Sequence, residues 1–224
     1  MKIFMKLTTF STQEDFVQQS ADYIKAVCQT HAETVFIALS GGKTPLPVYA
    51  VLNPEDIDHT EFFLVDERCV PQDDKDSNYA AIRESLPEDV LLQPIDTLLA
   101  PAKSALSYQE ILESIPDGQL DLVVLGLGTD GHTASLFPND IGAFESTQTV
   151  IPTINRSAPN PPVRERVTMT FDFILRAKKI LLLVSGAEKQ AAVEELLHGS
   201  KSVTEFPAKK LLEHPDLVIH YLSS

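Results

Sequence analysis

The feature that most constrains this chain is a set of short apolar or β-favouring runs, each stopping abruptly at a polar turn. Thr34 to Leu39 runs into Ser40-Gly41-Gly42, Glu61 to Val65 into Asp66, Leu120 to Leu125 into a glycine-rich turn, and Lys179 to Val184 into Ser185-Gly186. Leu120 to Leu125 shows no apolar–polar alternation, which is the pattern of a strand covered on both faces. Leu217 to Leu222 reads as a last strand. Between these runs the spacing predicts helices over 12–31, 77–86 and 105–115, and another from Lys189 through Leu197. The first opens on a capping-box pattern, Ser11-Thr12-Gln13-Glu14. Strands alternating with helices predict an α/β fold, an open, mostly parallel twisted sheet flanked by helices in the Rossmann-like manner. A chain of 224 residues is long enough to bury one large core, so 1–224 is read as a single domain. The proline-rich stretch 152–164 reads as a loop, too short to separate domains.

Open α/β sheets bind ligands in the crevice beyond the carboxyl ends of their strands. That directs attention to residues 40–45, 66–78 and 126–138. Ser40-Gly41-Gly42-Lys43-Thr44-Pro45 lies between a strand and a predicted helix. Glycines let backbone N–H groups turn into one concavity, and Ser40 and Thr44 add hydroxyls, so the segment reads as a phosphate cradle. The spacing of a Walker loop is absent. The alternative is a tight turn that needs glycine only for its shape.

Gly126-Leu127-Gly128-Thr129-Asp130-Gly131 matches G-x-G-x-x-G, but a dinucleotide fingerprint must open a helix at its third glycine. Here Pro138 stops any helix within two turns. The segment reads better as a catalytic turn. A carboxylate at Asp130 can fix the tautomer of His132, and such a histidine can take a proton from water near neutral pH. Asp66-Glu67-Arg68 offers a guanidinium for an oxyanion or a phosphate, with Asp66 to position it. Asn78, Arg166 and Lys189 are further candidates at the same rim, although lone polar residues are usually solvated.

The formal net charge of −14, from 18 basic and 32 acidic residues, argues against a general nucleic-acid binder and against docking to anionic membranes. A few local cations can still hold an anionic small molecule. Cys28 and Cys69 are the only cysteines, which gives neither a disulfide framework nor a metal-ligand cluster. The start, Met1 to Phe10, lacks an apolar leader core, and no run approaches a membrane span. The expected compartment is the cytoplasm, and the expected state is a monomer or weak homo-oligomer.

Taken in order, these segments resemble the 6-phosphogluconolactonases. The matching pieces are Leu39-Ser40-Gly41-Gly42-x-Thr44-Pro45, Asp66-Glu67-Arg68-x-Val70-Pro71 with Ser77-Asn78, and Gly126-x-Gly128-x-Asp130-Gly131-His132-x-Ala134-Ser135-Leu136-Phe137-Pro138. Arg166-Val167-Thr168 and Gly186-Ala187-x-Lys189 follow. The resemblance implies a fold related to the glucosamine-6-phosphate deaminases and hydrolysis of 6-phospho-D-glucono-1,5-lactone in the oxidative pentose phosphate pathway, with no metal or organic cofactor. It implies His132 as base for water, Asp130 as its orienting group, and Arg68 at the oxyanion or the phosphate. Ser40, Gly41, Gly42 and Thr44, with Arg166 and Lys189, would hold the phosphate. Lys43 departs from the small hydroxyl residue usual there, and either contacts phosphate or faces solvent. The sister deaminases carry a glutamate where this chain has Phe137, which favours the hydrolytic branch. A deaminase, a sugar-phosphate-binding regulator and a nicotinamide enzyme are the rival readings.

Overall fold

The computed structural model describes residues 4–29, 33–156 and 163–223. Among them the strands are β1 (Phe4–Phe10), β2 (Val35–Leu39), β3 (Thr60–Leu64), β4 (Asp66–Arg68), β5 (Leu91–Gln93), β6 (Leu122–Gly126), β7 (Val150–Ile154), β8 (Glu165–Met169), β9 (Lys179–Ser185) and β10 (Asp216–Leu222). The α-helices are α1 (Gln13–Cys28), α2 (Leu46–Tyr49), α3 (Asn78–Ser85), α4 (Pro101–Glu113), α5 (Ile141–Glu145), α6 (Phe171–Ile174) and α7 (Gln190–His198).

Seven strands form one parallel sheet in the order β1-β10-β9-β6-β2-β3-β5. The expected α/β class is therefore found. Its central strands are the continuous apolar runs of the sequence. Val35, Ile37, Ala38, Leu39, Leu122 to Leu125 and Ile180 to Val184 are all buried. Parallel strands need cover on both faces, which is why alternation is missing from these runs. From β2 the chain moves to β3 on one side, while β6 pairs with its other side. This reversal opens a crevice at the carboxyl ends of β2 and β6, where Ser40 and Gly126 stand. The Ser40 N–H donates to the Val124 carbonyl (3.1 Å) and ties the two strand ends together.

A second sheet, β4-β8-β7, is antiparallel and was not anticipated. It overturns some of the loop expected over 152–164, because Val150–Ile154 is its edge strand. Pro152 is exposed there, at an edge position where a missing N–H costs no ladder bond. The middle of that stretch, 157–162, lies outside the described residues. Helix α4 packs against β7 and β8. Its buried Tyr108 donates its hydroxyl to the Leu64 carbonyl (3.0 Å) and accepts from the Leu64 N–H (2.7 Å), fixing the end of β3 where the chain passes into β4.

Smaller departures have local causes. Helix α1 is capped by Thr12, one residue later than expected, with the Asp15 N–H donating to its hydroxyl (3.2 Å). It ends at Cys28, which is buried as a small hydrophobe; residues 30 and 31 of the expected helix are not described. Helix α4 starts at Pro101, four residues early, because proline suits a first helical turn. Strand β1 pairs in parallel with β10 as an edge of the large sheet. The segment after Gly131 forms turns rather than the helix of a dinucleotide site.

Candidate active site

A cleft of about 610 Å³ opens over the carboxyl ends of β2 and β6. Three segments far apart in sequence line it: Ser40 to Thr44, the β4 and α3 region with Asp66, Arg68 and Asn78, and the turn holding Gly128 and His132. Arg166 and Lys189 reach the same cleft. Asp130 stands behind His132 and borders a neighbouring cavity instead, with Phe137 as the shared wall.

His132 is held on three sides. Its Nδ1–H donates to Asp130 Oδ1 (2.6 Å), and its backbone N–H donates to the same oxygen (3.1 Å). The Phe137 ring lies 5.3 Å from the imidazole, centroid to centroid. The imidazole packs so closely on Gly128 that a Cβ there would collide with Nδ1 and Cε1. With Nδ1 protonated against a carboxylate, a neutral imidazole keeps its lone pair on Nε2. Gly131 takes φ +88°, and the Phe206 ring fills the space beside it. The Ala208 N–H donates to the Gly131 carbonyl (2.9 Å), so the turn is backed by a distant segment.

The Ser40 loop is shaped by contact as well as by conformation. Gly42 takes φ +105°, a region open to glycine and strained for other residues. A Cβ on Gly41 would collide with the Asn78 side chain. Asn78 in turn donates from Nδ2 to the Asp66 carbonyl (2.8 Å), so it packs on one cleft segment and bonds another.

Arg68 and Arg166 are direct partners in the β4–β8 register. Arg166 is only 7% exposed, and its Nη1 has no partner. Burial, and then the charge of Arg68, hold its pKa below the usual guanidinium range. Ser40 Oγ is likewise buried with no partner. Orphaned buried donors beside a cleft fit an anion that would satisfy them. Arg68 Nη1 donates to the Asp76 carbonyl (2.5 Å), and Lys189 Nζ to the Leu127 carbonyl (2.8 Å).

Asp66 does not hydrogen-bond Arg68. Its Oδ2 accepts from Ser135 Oγ (2.5 Å), linking the second sheet to the His132 turn. Gln13, Ser135, Phe137, Asn155, Ser185 and Glu188 also line the cleft and were not singled out as site residues. Ser135 and Phe137 lie inside the motif after Gly126. Gln13 and Asn155 carry no local signal, since only tertiary folding brings them to the rim. Among the described residues no group of His, Cys, Asp and Glu is placed to hold a metal ion. No helix among them is long and apolar enough to cross a membrane.

A model of the family described as glucosamine-6-phosphate isomerases/6-phosphogluconolactonase matches residues 11–219. The chain belongs to this family. A 6-phosphogluconolactonase of Thermotoga maritima is 35% identical over 172 residues, covering 74% of this chain and 76% of the relative. One from Helicobacter pylori is 31% identical over 202 residues, covering 86% of each. The crystal structure of a 6-phosphogluconolactonase from Shewanella baltica superposes with a TM-score of 0.88 at 26% identity, covering 99% of this chain and 98% of the other.

Proposed function

We propose that this chain hydrolyses 6-phospho-D-glucono-1,5-lactone to 6-phospho-D-gluconate by attack of a water activated at His132. It is a carboxylic ester hydrolase of the 6-phosphogluconolactonase kind, and its whole length acts as one domain. The observation that carries the mechanism is the His132–Asp130 bond at the mouth of a cleft with orphaned anion-seeking donors.

His132 Nε2 takes a proton from water as the water oxygen bonds to the lactone carbonyl carbon, a role worth roughly 10²–10⁴-fold. Asp130 holds the ring and stabilises the imidazolium that forms. Arg68 faces the developing oxyanion, where one donor is commonly worth about 3–4 kcal/mol. The tetrahedral intermediate then expels the ring oxygen, which takes the proton back from His132. Water has thus delivered hydroxide to the carbonyl carbon and a proton to the ring oxygen, and the product acid ionises. The Ser40 to Thr44 loop, Arg166 and Lys189 hold the 6-phosphate, with Asn78 supporting that loop. This remote binding energy orients the ring over His132. Phe137, an apolar wall beside the base, supplies no carboxyl group for sugar ring opening, which favours lactone hydrolysis over deamination.

The test is proton release on adding freshly made 6-phosphogluconolactone, corrected for spontaneous hydrolysis. Turnover above background is expected; ammonia release from glucosamine 6-phosphate instead would move the chain to the deaminase branch.

A further inference from the structure

Glu67 is the middle residue of β4, between Asp66 and Arg68, and is 1% exposed. Among the described residues it makes no ion pair with a Lys or Arg. Both carboxylate oxygens are saturated by neutral donors instead. Oε1 accepts from the Arg68 N–H (2.6 Å) and the Asn78 N–H (2.7 Å). Oε2 accepts from Ser77 Oγ (2.9 Å) and the Tyr79 N–H (2.7 Å). Burial pushes its carboxyl above the ordinary carboxylate range, against the pull of these four bonds. Removing an unpaired carboxylate from water is costly, and an apolar residue of similar volume would avoid that cost. What an apolar residue cannot supply is acceptor capacity for four converging donors.

Those donors explain the arrangement. One is the backbone of Arg68 itself. The other three belong to Ser77, Asn78 and Tyr79, the cap and first turn of α3, whose dipole favours a negative charge there. The residue just before them, Asp76, presents the carbonyl on which the Arg68 guanidinium docks. Glu67 therefore fixes the root of the Arg68 side chain and the ledge that holds its tip. It also seats Asn78, which packs on Gly41 across the cleft.

We propose that Glu67 is a positioning residue for the hydrolytic reaction, holding the Arg68 guanidinium at the cleft by pinning β4 to the first turn of α3. This rests on the reading of the cleft as a lactonase site. Gln at this position has one acceptor oxygen, and its amide would set donors against the Tyr79 N–H.

The experiment is a double-mutant cycle between Glu67→Gln and Arg68→Met, read by kcat and KM on the fresh lactone. In the otherwise unaltered chain Glu67→Gln is expected to lower kcat at least tenfold, with KM changed less than threefold. In the Arg68→Met background the same change is expected to cost less than twofold. An equal loss in both backgrounds, or no loss in either, would overturn the proposal. Ser77→Ala removes one of the four donors and serves if Glu67→Gln does not fold. It is expected to cost two- to fivefold alone and nothing beside Arg68→Met, and equal losses again overturn the proposal. A second readout needs no turnover. Nitrogen NMR of the Arg68 guanidinium should show slow rotation in the parent chain and fast averaging in either variant. If the parent chain fails to hydrolyse the lactone while this difference appears, the reading of the cleft falls, Glu67's part in that reaction falls with it, and only its hold on the Arg68 guanidinium stands. Unchanged rotation sinks the role whatever the activity.

Discussion

Arg68 and Arg166 stand opposite each other across the β4–β8 ladder, two like charges paired where a sheet would ordinarily place opposite ones. Arg166 is the more buried and keeps one orphaned nitrogen. Such a pair is destabilising by itself, and an anion held between the two guanidinium groups would relieve it. Arg166→Met should therefore stabilise the ligand-free chain by about 1 kcal/mol, or roughly 2–4 °C in its unfolding midpoint. Added phosphate is expected to stabilise the parent chain, and the same change should abolish that gain. Thermal melts with and without phosphate decide it; a variant that melts lower in both conditions contradicts the account.

The grip on His132 has a sharper test at a residue without a side chain. Gly128 has no positive φ, so alanine fits its backbone, yet the new Cβ would displace the imidazole. Gly128→Ala is expected to lower kcat by roughly 10²–10⁴-fold, close to the loss from His132→Ala, with the fold retained. Steady-state kinetics beside circular dichroism check it. Near-normal turnover by Gly128→Ala would mean that the ring position is not needed.

Lys189 reaches the cleft from the turn after β9 and donates to the Leu127 carbonyl. If its charge serves the phosphate, Lys189→Ala should raise KM for the phosphorylated lactone at least tenfold, about 1.4 kcal/mol of binding. Activity on unphosphorylated gluconolactone should be spared. Equal losses on both substrates would assign Lys189 to the chemistry instead.

His220 bears on stability alone. It is buried on β10, its Nδ1 is 2.9 Å from Ser20 Oγ, and Phe10 and Tyr23 pack edge-on against it. Burial, with a smaller push from Lys6, lowers its pKa from 6.5 to about 4. Below pH 6.5 the unfolded chain binds a proton that the folded chain refuses, so stability is lost as the pH falls from 6.5 toward 4. The loss attributable to this group is roughly 2 kcal/mol between pH 7 and 5. Urea unfolding at those two pH values should show the parent chain losing that much more than His220→Leu. Parallel losses would clear His220 of the effect.

Much of the molecule was legible locally. The strands of the large sheet that are buried on both faces announce themselves as unbroken apolar runs, and the turns that follow them mark the crevice. Pro138, within two turns of the third glycine, argues against the dinucleotide reading of the glycines before it. The second sheet was not legible. Its strands are short and partly polar, and β4 finds its partner β8 about a hundred residues away. Glu67 stood in a noticed motif, but its role depends on donors brought to it by the folding of α3.

The amino-acid order by itself determined that a parallel α/β sheet would form, because burial on two faces demands a composition that can be read residue by residue. It also determined which turns carry groups suited to anions and to proton transfer. Only the tertiary structure decided that Arg68 would face Arg166, that Asp66 would bond Ser135, and that Glu67 would sit dry beneath them. Those are long-range pairings, fixed by chain crossings and packing, and no local pattern encodes them.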